Sequence, residues 1–487
     1  MEFLTDLFSN LNIFSKIFLI LFSGLTVIQL YKNTEIQNFV SISIPLLLFI
    51  FIYKTDPVGQ SFSFRPIFNF FEIKLLFTPI SKIFSLMVVC LWFLTNIYSI
   101  GYISLTKISQ QPFSSLFFLS IIFTLLIGIS GNLLTLFLFY ECLTFATYFL
   151  VSFDQTHEAK IAGKYYLKML LITSGCFLLP AIVLVYQSGG NIDFHYPISE
   201  NTSGLSFESP TKVAILLIMF LYGYSKAATF PFHSWLPKAM VAHIPVSALL
   251  HAVAVVKSGI ICILYTIIYI FGIDFLNELK LNQSSLINIP KYICAFSAIY
   301  ASYQAIKQNE LKKILAYSTI SQLGYIAMAI FAFKANIESA TILKLVSDAI
   351  TKINMFFIAG FLYLKYEIKK IDSLNGIWKK EKIISICFLI SCMSIIGIPP
   401  TIGSISKINA ASDAIMHQDY FTISILSLGT VLSSIYLGKI LIKMFSGTNQ
   451  RKDFVITNEK MKNFLIMQSV IFIIATLIVL IFLKVTL

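Results

Sequence analysis

The chain has 487 residues, 57% hydrophobic and 12% charged, with a formal net charge of +13. Soluble proteins carry about 25% charged residues, so these proportions exclude a soluble globular protein and indicate a polytopic membrane protein. The lysines fall in short loops, as the positive-inside rule requires, and no basic domain stands outside the apolar stretches, which sets nucleic-acid binding aside.

The N-terminal MEFLTDLFSN holds two acids and no basic n-region, unlike a cleaved signal peptide. A membrane-spanning helix needs about 20 mostly apolar residues. Spans are expected at 12–31, 38–53, 80–104, 112–130, 131–153, 164–187, 211–236, 241–271, 287–305, 313–333, 340–364, 383–405, 420–443 and 463–485, fourteen in an all-α protein. The second is short, and the fourth and fifth are joined by little more than Gly131-Asn132.

Loop charge supports this order. The loops Lys365–Lys382 and Lys439–Lys462 are rich in lysine and are expected in the cytoplasm. The turn with Lys307, Lys312 and Lys313 and the loop with Lys160 and Lys164 share their parity. On the other parity, Ser188–Pro210 has no Lys or Arg but holds Asp193, Glu200 and Glu208, and the loop after the twelfth span holds Asp413 and Asp419. An even number of spans with both termini outside satisfies all of these loops. No soluble module or low-complexity linker interrupts the chain. The seven cysteines are scattered, and the closest pair, Cys387 and Cys392, matches no zinc or iron–sulfur spacing. They read as small packing residues.

Ionisable residues inside spans default to function. Glu141 lies in LFLFYECLTFATYFL, Lys226 in LYGYSKAATF and Lys257 in HAVAVVKSG. Lys407 follows GIPPTIGSIS and either lies on a path or snorkels to the outer interface. Lys352 is four residues after Asp348, so the two share a helix face, and a structural ion pair and a transport role both fit. Lys312 and Lys313 begin the tenth span as interfacial residues, with Lys313 the candidate to point inward. His251 in PVSALLHAVAVV reads equally as a core histidine or a polar site. Trp235 reads as an interface anchor and His233 as a cap for freed carbonyls. No His, Cys or acid set has metal-ligand spacing.

Pro231 interrupts the seventh span, and Pro399 and Pro400 interrupt the twelfth. Proline removes a helical hydrogen bond, and broken helices survive in membranes where the freed backbone is buried in protein or lines a cavity. Breaks in corresponding positions five spans apart point to inverted repeats around an ion site.

The stretch FPFHSWLPKAMVAHIPVSALLHAVAVVKSG resembles the signature of the proton-translocating membrane subunits shared by respiratory complex I and the multi-subunit Mrp-type cation/proton antiporters. SALLHAVAVVK is most similar to the D-type member of the Mrp antiporter subunits. GNLLTLFLFYECLTFATYFLVSF, AGKYYL, NELKKILAYSTISQLGYIAM and GIPPTIGSISK agree, from about Gly131 to Lys407. The resemblance implies fourteen helices with two inverted five-helix repeats, each with a broken helix. It implies N-terminal helices over 1–111, a proton-translocating core over 112–445, and a C-terminal loop and last helix over 446–487.

By the same resemblance, Glu141 pairs with the channel lysine Lys226, and Lys257 links that half-channel to a central axis. Lys407 leads to the opposite side, and His251, Lys352, Asp348 and Lys313 belong to the polar axis. Two positions depart from the pattern. His243-Ile244 stands where Pro-Thr is common, and Asp348 stands where a histidine is usual, so that it either traps a fixed ion pair or acts as a carrier itself. The expected role is a subunit that exchanges protons for sodium or another monovalent cation. The alternatives are a complex I membrane subunit and a non-transporting scaffold. A transporter subunit is expected rather than an enzyme, without cofactor, metal or covalent catalytic residue. Its expected partners are other membrane subunits and the lipid bilayer of a bacterial inner membrane or an organelle. The chain ends without a lateral helix of the kind found in the largest complex I subunit, which sets that type aside.

Overall fold

The computed structural model describes residues 12–31, 33–65, 72–106, 108–189, 191–196, 209–282, 285–334, 337–447 and 467. The expected fourteenth span, 463–485, lies outside them apart from Met467, as do Glu200 and Glu208. The protein is an integral, multi-pass, predominantly helical membrane protein. Among the described residues nine helices are long and apolar enough to cross a membrane.

The chain opens with helices α1 (Ile13–Leu30) and α2 (Thr34–Thr55). The second was expected to be short, but Asn33 caps it by accepting from Glu35 N at 2.8 Å, and it runs 22 residues. Then come α3 (Pro79–Ser104), α4 (Gln110–Gly128), α5 (Leu133–Val151) and α6 (His157–Gln187). The turn between α4 and α5 ends on Asn132, whose side chain accepts from Thr135 N at 2.7 Å and starts α5. Helix α6 contains a π-helical turn at Ser174–Leu178.

An all-α chain was expected, and one small sheet departs from it. β1 (Ser61–Phe64) and β2 (Ile73–Leu76) pair antiparallel. The hairpin closes over the α4–α5 turn, with Gly131 N donating to Lys74 O at 2.7 Å. That contact gives the turn's backbone the partners a helix end lacks.

The second half holds α7 (Pro210–Gly223), α8 (Ile244–Phe271), α9 (Ile289–Lys307), α10 (Leu311–Ile330) and α11 (Ile337–Tyr366). It closes with α12 (Lys382–Ile396), α13 (Ile402–Met416) and α14 (Tyr420–Phe445). Helices α12 and α13 are two halves of the twelfth expected span. The second half is longer than the sequence suggested and takes in Asp413.

Helix α8 lies at the centre, with its whole apolar window buried, and α11 beside it has 89% buried. By contrast α1 and α14 have only 28% buried and turn most of their surface outward. A helix apolar on all sides fits both settings, inside the bundle or against lipid.

Loop contacts fall into two sets, matching the parity read from loop charge. In one set, Lys74 pairs with Asp193 at 2.9 Å, Lys291 with Asp419 at 2.6 Å, and Asn277 Nδ2 donates to Phe333 O at 2.9 Å. In the other, Leu311 N donates to Lys369 O, Ile371 N to Asn309 O, and Lys365 pairs with Glu381 at 2.7 Å. We predict that the second set is cytoplasmic. Single cysteines placed at Ser188 and Asn375 in an otherwise cysteine-free chain test this with an impermeant maleimide on intact cells. Label is expected at Ser188→Cys and not at Asn375→Cys; the reverse pattern overturns the orientation.

Candidate functional site

The break between α7 and Trp235 begins earlier than Pro231 suggested. Helix α7 ends at Gly223, a short turn covers Ser225–Ala227, and Ala228 has φ +54°. Lys226 therefore lies in the break, not in a helix before it. Where the helix ends, packing is tight: a Cβ on Gly223 would sit 2.7 Å from Leu178 Cβ, in the π-helical turn of α6. Trp235 was expected at the interface. It is instead fully buried, and its indole donates at 3.1 Å to Ser225 O, a carbonyl in the break that also accepts from Ala228 N. His233 is buried too, stacked on Phe230.

Lys226 is fully buried. Its Nζ donates to Tyr140 O and to Thr144 Oγ1, each at 2.6 Å. It also sits 3.1 Å above the Tyr140 ring, a cation–π contact. Tyr140 is the neighbour of Glu141 on α5. Neither Glu141 oxygen has a hydrogen-bond partner, and no direct ion pair joins it to Lys226 among the described residues. The two interact electrostatically across the gap. The lysine is thus solvated by neutral groups, and the carboxyl is enclosed with Ser174 beside it and no cation in contact.

Helix α8 presses directly on this break. A Cβ on Gly259 would strike Ala227 N and come within 2.8 Å of the Lys226 carbonyl carbon, so only glycine fits. Two residues earlier, Lys257 forms a buried ion pair with Asp348 of α11, their side chains 0% and 1% exposed. Asp348 Oδ1 has no partner. The i,i+4 spacing suggested Lys352 as the partner of Asp348. Lys352 instead donates to Ser318 Oγ, which in turn meets Tyr436 OH at 3.0 Å. Helix α8 brings Lys257 to the carboxylate from across the interface, and local spacing carries no record of that.

His251 sits in a π-helical turn of α8, Leu249–Val253, fully buried against Phe356 at 4.8 Å. Neither ring nitrogen has a hydrogen-bond partner. Such turns are frequent at functional sites.

In the second break, α12 ends on Gly397 with φ +92°, the left-handed position glycine tolerates. Thr401 then caps α13, accepting from Ser404 N at 3.3 Å. Pro399 and Pro400 lie between. Lys407 Nζ donates to Ile396 O at 2.7 Å and Thr430 Oγ1 at 3.3 Å, so it reaches the last carbonyl of α12 and does not snorkel away from it. Lys313 pairs with Glu310 at 2.9 Å at the rim, whereas Lys312 reaches Ala242 O at 2.6 Å. Both line a cavity of about 960 Å³ on the lysine-rich side, with Asp154 and His243, whose side chains share a hydrogen bond.

The sequence reading passed over Lys344. It stands four residues before Asp348 and eight before Lys352, on one face of α11, and lines a crevice with Lys407. The same i,i+4 spacing that marked Lys352 could have found it. Among the described residues no group of three His, Cys, Asp or Glu side chains gathers as metal ligands.

Removing one partner of a buried ion pair leaves an uncompensated charge, at a cost of roughly 3–5 kcal/mol. Asp348→Asn should therefore lower the thermal midpoint of the purified protein sharply. Lys257→Met with Asp348→Leu should recover most of the loss. Equal midpoints for wild type and Asp348→Asn would show that the pair is not formed.

The family described as NADH:quinone oxidoreductase/Mrp antiporter, TM, matches residues 130–433. The Na(+)/H(+) antiporter subunit A1 of Staphylococcus haemolyticus (strain JCSC1435) is 28% identical over 454 residues, 87% of this chain and 54% of that protein. The protein of the same name from Staphylococcus aureus is 28% identical over 401 residues, 78% and 48%. The chain spans about half the length of the curated relatives it matches. These relatives are A-type subunits, whereas SALLHAVAVVK resembled the D type; both belong to antiporters of one kind. The membrane-bound sulfane sulfur reductase, an archaeal respiratory membrane complex, has a chain of the same fold, with TM-score 0.79 and 20% identity over 96% of this chain and 93% of that one. Respiratory complex I from Thermus thermophilus with bound aureothin has another, with TM-score 0.73 and 19% identity over 95% and 97%. The chain belongs to the NADH:quinone oxidoreductase/Mrp antiporter transmembrane family.

Proposed function

We propose that this chain is a membrane subunit of a multi-subunit antiporter that exchanges protons for a monovalent cation, sodium in the first instance. The observation that carries the reading is the row of buried ionisable groups through the bundle. Glu141 stands beside Lys226, Gly259 seats α8 on that lysine, and Lys257 binds Asp348. Asp348 shares a helix face with Lys344 and Lys352, and Lys344 shares a crevice with Lys407.

In this reading Glu141 loads the proton and Lys226 relays it. Lys257, His251, Asp348 and Lys352 form the axis, and Lys407 delivers to the far side. Lys313, at the rim, stands at the cytoplasmic mouth. Desolvation favours neutral lysine and a nearby carboxylate favours the ammonium, so moving Glu141 relative to Lys226 passes a proton without a covalent step. The architecture we propose is fourteen helices. Residues 1–111 form the N-terminal helices, 112–445 a core of two inverted five-helix repeats, and 446–487 the last loop and helix. The breaks at Pro231 and at Pro399–Pro400 are the counterpart positions of the repeats. The setting is a bacterial cytoplasmic membrane, with other membrane subunits as partners. A second reading, the proton-moving subunit of a quinone-reducing complex without redox centres of its own, is favoured by the fold shared with the Thermus complex. It would use the same path.

Arginine keeps its charge at any working pH, so Lys226→Arg tests the relay. The variant should assemble at normal abundance and lose cation-dependent proton movement in vesicles by about tenfold or more. Full transport by an assembled Lys226→Arg complex would remove Lys226 from the proton path.

A further inference from the structure

A crevice between α10, α11, α13 and α14 gathers more positive charge than a proton path requires. Its volume is about 60 Å³, room for several water-sized bodies. Its walls are largely carbon, from Ile326, Ala329, Ala410 and Leu426 among others. Lys334, Lys344 and Lys407 line it against one carboxylate, Asp413. None of these four takes part in an ion pair among the described residues. Lys407 uses two of its three N–H donors, on Ile396 O and Thr430 Oγ1, and the third remains. Lys344 makes no hydrogen bond among the described residues.

Two further polar side chains line this crevice without a hydrogen-bond partner among the described residues. They are Gln322 at both its amide atoms and Thr341 at Oγ1. Both are buried, with 1% and 2% of their surface exposed. Buried polar groups in native proteins are almost always bonded, so a cluster of orphans around unpaired ammonium groups points to an absent occupant. An ammonium can only donate, and amide and hydroxyl groups can donate too. With three lysines against one carboxylate the crevice carries excess positive charge, which favours an anion. Carbon walls cannot replace a tightly held hydration shell, so an ion that dehydrates cheaply is preferred.

We propose that this crevice binds one small, weakly hydrated monovalent anion, chloride in the natural setting, between Lys344 and Lys407. Gln322 and Thr341 supply the remaining donors. The site goes beyond the ion path proposed above and holds whether or not that path is correct. The anion offsets the excess of three lysines over the one carboxylate, Asp413, that lines the crevice.

The test uses the full chain purified in its assembly. Thermal midpoints are compared in sodium gluconate, fluoride, chloride, bromide and iodide at equal ionic strength. A ligand that binds only the folded state raises the midpoint, so a rise of several degrees is expected in the order iodide, bromide, chloride, fluoride. Lys344→Met should abolish that halide-specific rise. Equal midpoints in bromide and gluconate, or a salt trend identical in wild type and Lys344→Met, would overturn the site. Anomalous scattering from bromide on the unmodified chain decides the matter even if the variant does not assemble. A peak between Lys344 and Lys407 supports the proposal, and water alone in the crevice refutes it.

Discussion

A lysine ammonium deep in the bilayer survives only if the protein solvates it, and this structure meets that demand in three different ways. Lys257 has a carboxylate, Asp348. Lys226 has a helix carbonyl, a hydroxyl and an aromatic face, all from one stretch of α5. Lys407 has the carbonyl exposed where α12 stops. The pair ties together the two most buried helices, α8 and α11, and the other elements are arranged around them. Where a lysine has a true counter-ion it is fixed. Lys226 and Lys407 have only neutral partners in contact.

The helix breaks take on meaning in this light. A helix consumes its own carbonyls, and a cation in hydrocarbon needs carbonyls to spare. Ending α12 at Ile396 releases one for Lys407. Ending α7 at Gly223 moves Lys226 out of a regular helix and against the side of α5. The first break is buried at Ala227–Thr229, where protein atoms take up freed groups, whereas Ile398, Pro399 and Pro400 of the second are exposed, and there the Lys407 ammonium takes up the Ile396 carbonyl.

Much of this was legible in the sequence because an ionisable side chain in an apolar run is conspicuous. Glu141, Lys226, Lys257 and Lys407 stand out on that ground alone, and proline marked both breaks to within a few residues. What the sequence hid was partnership. Asp348 was read with Lys352 because i,i+4 spacing is the contact a single helix can reveal; its partner Lys257 comes from 91 positions away. Trp235 looked like an interface residue because tryptophan prefers interfaces, yet its indole finds a partner inside, at Ser225 O. The glycine at the end of α7 is required by the close approach of Leu178, a contact that no local pattern encodes. The β1–β2 hairpin was missed because two strands of four residues carry little periodic signal.

The bend that holds Lys226 is chemically closed. Ser225 O takes the Trp235 indole as well as Ala228 N, Ala227 N bonds to Tyr224 O, and Lys226 N donates to the Tyr140 hydroxyl at 3.0 Å. With these groups engaged, the bend is built as a set elbow and not as a hinge. In the mechanism proposed above, the work at this end then falls to side chains, with the Glu141 carboxyl moving against a Lys226 whose backbone keeps its place.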